Sequence, residues 1–83
     1  MSFNDERLKH QGRLAEAELD ARRTEISVRG LITSLRNLLD PLENIEELCA
    51  EQIADQGLRL ADLLAEYGRK RAEIAAIKKA LGR

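Results

Sequence analysis

The chain has 83 residues, with 14 Lys and Arg against 15 Asp and Glu and a formal net charge of -1. Ala, Glu, Lys, Leu and Arg dominate, only Phe3 and Tyr67 are aromatic, and Pro41 is the single proline; this is the composition of long helices and excludes a β-sandwich or barrel. No apolar run is longer than Ile74 to Ile77, so neither a membrane span nor a secretory apolar segment is expected; the lone Cys49 fits a reducing compartment, and a cytoplasmic location is expected.

The expectation is one all-α domain over residues 1–83, folded as a long antiparallel, coiled-coil-like hairpin. Ser2, with Asp5 three residues later, is a candidate cap for a first helix from about Asn4 to Arg36. The interruption at 37–40 predicts a turn, with Asn37 in a left-handed conformation ending helix one. Asp40 then caps helix two, Pro41 takes its first position and Glu43 completes a capping box. Helix two is predicted from Pro41 to about Leu81 and continuous through Gln56-Gly57, where a further break is conceivable. One helix kinked at Pro41 is the competing reading.

Steps of seven from Leu14 reach Ala21, Val28, Leu35 and Leu42, and steps of seven from Ala17 reach Thr24, Leu31, Leu38 and Ile45. That alternation of three and four keeps one apolar stripe on a helix face, with Thr24 its only polar member. In helix two, Ile53, Leu60, Tyr67, Ile74 and Leu81 form the matching stripe, flanked by Cys49, Leu63 and Ile77 and interrupted by Gln56 and Lys70. A turn at position 40 places Val28 against Ile53, Ala21 against Leu60 and Leu14 against Tyr67. Acid–base pairs at i,i+4 (Asp5–Lys9, Glu18–Arg22, Glu25–Arg29, Asp55–Arg59 and Glu66–Lys70) support the outer faces.

Two helices sharing one seam leave their outer flanks wet, so association is expected. The partner is a second copy, giving a homodimeric four-helix bundle centred on the turn-proximal half with looser tips at the termini, or another helical protein. The expected interface comprises Ile26, Leu31, Ile32, Leu35, Leu38 and Leu39, continued by Leu42, Ile45 and Leu48. Leu58 and Leu64 widen the same face.

Charge is polarised along the second half. Residues 41–56 carry five acids and no base, and residues 57–83 carry seven bases against three acids. Arg69, Lys70, Arg71, Lys78 and Lys79 are candidate polyanion-binding residues, the basis of an alternative reading as a nucleic-acid-binding accessory protein. The acids at the start and bases at the end of helix two also suit its dipole, and only Tyr67 is available for base stacking.

No catalytic, metal or cofactor site is expected. Glu43, Glu46, Glu47 and Glu51 have helical spacing, but the lone His10 lacks the carboxylate partner three residues away that di-iron bundles use; it is read as a surface ion pair with Glu6. Cys49 is expected on the apolar side of helix two beside Ile45 and Ile53, with an interchain disulfide as a further reading. The scattered glycines form no phosphate loop, and no nucleophile stands beside a base, so an enzyme is not expected. Leu63-Leu64-Ala65-Glu66-Tyr67 with the central turn resembles the type III secretion needle subunits, also short helical hairpins, over five residues. That family's second turn proline and its acidic, aromatic N-terminal segment are missing here, and no function is carried over.

Overall fold

The computed structural model describes residues 3–82, with side chains from Asp5 to Gly82. Two long helices, α1 (Phe3–Leu38) and α2 (Ala50–Ala80), pack along one another, joined by residues 39–49, which contain a single 3₁₀ turn over Ile45–Glu47. The start of α1 packs with the end of α2, so the helices run antiparallel as a hairpin. No strand occurs among the described residues. The expected cap at Ser2 lies outside them. Both helices pass through their internal glycines, and α2 is continuous at Gly57.

The connection differs from the expected four-residue turn. Asn37 is helical, α1 runs on to Leu38, and no described residue other than glycine has a positive φ. Asp40 does accept from the Leu42 N–H at 3.0 Å, and its carbonyl accepts from the Glu43 N–H at 3.1 Å, so the predicted cap closes a turn. That turn does not propagate. Asn44 is extended, at φ -65° and ψ 133°, and its side-chain oxygen takes the Glu46 N–H at 3.4 Å, a local bond that competes with the helical ladder. A helix through this segment would also align Glu43 with Glu47 and Glu47 with Glu51, like charges at i,i+4 with no base nearby. Helix two therefore begins at Ala50 and not at Pro41.

Lengthening the connection from 37–40 to 39–49 displaces the register by seven residues: Ala21 shares a groove with Tyr67, where Leu60 was expected. Seven residues are one heptad, so the same stripe of α2 still faces α1, two turns further along. Leu14, Ala17 and Ala21 consequently meet Ile74, Ile77 and Leu81, and Tyr67 packs against the cluster. Burying one such large aliphatic side chain stabilises by about 1.5–3 kcal/mol. Thr24, buried in this seam, donates its hydroxyl to the Asp20 carbonyl at 3.1 Å and so enters without an unpaired polar group. At the far end Gly82, at φ 77°, takes the left-handed position that closes a helix; its N–H reaches the Lys79 carbonyl at 3.1 Å, while the Leu81 N–H reaches the Ile77 carbonyl at 3.0 Å.

Among the described residues, the buried side chains are Leu14, Ala17, Ala21, Thr24, Val28, Ile74, Ile77 and Leu81; all but Thr24 and Val28 lie in the half of the hairpin away from the turn. The buried cluster of the single chain therefore lies toward the termini, from Leu14 on α1 to Leu81 after α2. Of the expected ion pairs, Glu25–Arg29 closes at 3.0 Å and Glu66–Lys70 at 3.7 Å, and Asp20–Arg23 adds an unpredicted contact at 4.0 Å.

Candidate interaction surface

Past Val28 on α1, and before Ile74 on α2, the seam opens. Leu31, Leu35, Leu38 and Leu48 are half-buried, whereas Ile26 and Leu39 are exposed, as are Leu58 and Leu64 across the hairpin. The nine residues expected to form an interface thus divide. Five are exposed, and four are half-buried: Leu31, Leu35 and Leu38 on α1 and Leu48 in the connection. Leu42 and Ile45, predicted as continuations of a helical stripe, are instead 93% and 81% exposed in the connection, because the helix that would have placed them in register does not form.

An apolar groove of about 260 Å³ lies between the helices, lined by Val28, Ile32, Leu64 and Tyr67. Ile32 is 41% exposed and Leu64 51%, so each offers about half its surface to the groove's exterior. The Glu25–Arg29 pair borders it. Heptad spacing places Tyr67 and Val28 in the seam only; their part in the groove depends on the seven-residue displacement, which brings Leu64 and Tyr67 beside Val28 and Ile32. A larger depression of about 340 Å³, lined by Thr33, Arg36, Asn37, Asp40 and Pro41, is polar.

The turn end is acidic. The Glu43 carboxyl is held above the ordinary carboxylate range, first by a hydrogen bond with Glu47, then by desolvation and by the nearby Asp40 charge. Among the described residues no group of three or more His, Cys, Asp or Glu side chains converges to hold a metal ion. Cys49 corrects another expectation. It is exposed at the cap of α2, and its thiol lies 3.9 Å from the Glu47 carbonyl; it is not on the apolar seam, because the helix starts one residue after it.

His10 is half-buried, with Nδ1 enclosed and without a hydrogen-bond partner, instead of the surface ion pair with Glu6 expected from spacing. Gln56 Oε1 is likewise enclosed and unpaired at the seam interruption.

The bases of α2 do not form one stripe. Arg69, Lys70 and Arg71 are consecutive, so about 100° of helix rotation separates each from the next. Lys70 turns to Glu66, and Arg71 faces a groove shared with Glu18, Arg22 and Glu25. Lys78 and Lys79 occupy the last turn, where cations suit the helix dipole. No described helix is long and apolar enough to cross a membrane. Comparison with protein-family models, with curated proteins and with solved structures finds no match to this chain.

Proposed function

We propose that the chain is a non-enzymatic association module, a helical hairpin that pairs with a second copy of itself as a four-helix bundle through its turn-proximal half. The observation that carries this reading is the contrast between the two ends: toward the termini Leu14, Ala17 and Ala21 of α1 are closed against Ile74, Ile77 and Leu81 of α2, while Ile26, Ile32, Leu39, Leu42 and Ile45 nearer the turn are left exposed. Area supports it. The chain exposes 6637 Å², whereas a compact protein of its mass exposes about 5,000 Å², an excess of about 1,600 Å². A standard interface buries about 800 Å² per partner, within that excess.

Ile32→Glu tests the reading. Ile32 is already part-exposed, so the change spares the hairpin of a single chain but places a carboxylate in the proposed interface, where burial without a partner costs several kcal/mol. Light scattering is expected to show a dimer for the parent chain and a helical monomer for the variant. Equal masses for the two would contradict the proposal.

A further inference from the structure

Resting on that self-pairing, and extending its contact from the turn-proximal surface along the length of α2, we propose that the two hairpins lie antiparallel about a two-fold axis crossing the Ile32–Leu64 groove, so that each acidic turn rests against the basic end of the partner's α2. The argument is the order of chemistry along the hairpin. Starting at the turn, residues 41–56 carry five acids and no base, among them Glu43, Glu46 and Glu47. The apolar groove of Val28, Ile32, Leu64 and Tyr67 comes next. Beyond it stand Arg71, Lys78 and Lys79 on α2, against the single acid Glu73. Acid, apolar and base in that order are self-complementary only when one copy is reversed.

The spacing agrees. Leu64 lies fourteen residues beyond Ala50, about 21 Å at 1.5 Å per residue. A two-fold axis at that height carries the turn of one copy about 42 Å along the other, the height of the partner's Lys78. The opposite arrangement, turn beside turn, places the five acids of residues 41–56 against the same five of the second copy, with Arg36 beside Asp40 as the nearby base. Like charges brought together at an interface disfavour it strongly, and complementary ones fix its orientation. Two symmetric copies then bury the groove against itself, the isologous contact of a closed dimer.

Cys49 is the only cysteine and is exposed at the turn end, so a spin label there reads the orientation directly. Electron–electron dipolar spectroscopy on the labelled full chain is expected to give an interchain distance of about 40–45 Å. A distance under about 20 Å in a sample of dimeric mass overturns the antiparallel arrangement while leaving self-pairing intact; a monomeric mass with no interchain distance overturns both. As a second readout, Lys78→Glu with Lys79→Glu is expected to weaken self-association several-fold at low salt, and mixing with a Glu46→Lys, Glu47→Lys chain is expected to restore it. Unchanged affinity of the lysine variant would count against the acid-to-base contact.

Discussion

At the scale of single residues, stability concentrates in a few side chains of the terminal half. Ile74, 2% exposed, packs in the cluster with Leu14, Ala17 and Ala21. Ile74→Ala is expected to cost about 2–5 kcal/mol in urea denaturation, against about 0.5 kcal/mol or less for Leu8→Ala at the exposed start of α1. Equal effects would show that the buried cluster is misplaced. Gly57 offers the reverse case, since a Cβ there meets nothing within 4 Å and α2 is continuous through it. Gly57→Ala is expected to stabilise by about 0.5–1 kcal/mol, read from the same denaturation midpoint.

The Glu43–Glu47 contact gives the turn a pH dependence of definite sign. A carboxyl whose folded-state pKa is raised binds its proton more tightly in the folded turn. Its contribution is complete below the ordinary carboxylate pKa and disappears as pH rises through the raised value, where two carboxylates face each other. Amides of 43–47 are therefore expected to be better protected in acid than at neutral pH, measured by hydrogen exchange corrected for intrinsic rate. Glu47→Gln, an amide that no longer ionises, is expected to flatten the dependence. A steeper loss of protection on acidification would contradict the assignment.

At the scale of elements, the seam and the fold-back were legible in the sequence because heptad spacing depends only on which residues are apolar. Leu14, Ala21 and Val28 occupy the seam in which their spacing puts them, and Thr24 sits among them with a local bond to Asp20. The start of helix two was not legible. Asp40, Pro41 and Glu43 carry a complete start signal, yet a second polar cap at Asn44 and a run of glutamates with no base among them outcompete it, and the helix begins nine residues after Pro41. Capping motifs report a turn that can open a helix, whereas propagation depends on the residues beyond the first turn. The candidate surface inherited that error: Leu42 and Ile45 moved from a stripe into an exposed connection, and Leu64 with Tyr67 came to the groove in place of residues nearer the turn. The displacement by one full heptad is why the core remained recognisable. Hydrogen exchange is expected to find the slowest amides around Ala17–Val28 and Ile74–Ile77, with fast exchange over 40–49. Greatest protection next to the turn would reverse this order.

At the scale of the whole molecule, the hairpin measures 66 × 16 × 15 Å and has a radius of gyration of 18.9 Å, where a compact chain of its length has about 12 Å. A rod only two helices wide has one internal seam, and half of that seam is open. The excess surface, the groove and the acid-to-base order along the hairpin favour one completion: a second copy laid alongside. Sedimentation equilibrium of the purified chain at micromolar concentration tests this most directly. The account predicts a single species at twice the 9.4 kDa of one chain; a fully helical, cooperatively folded species at the mass of one chain would contradict it.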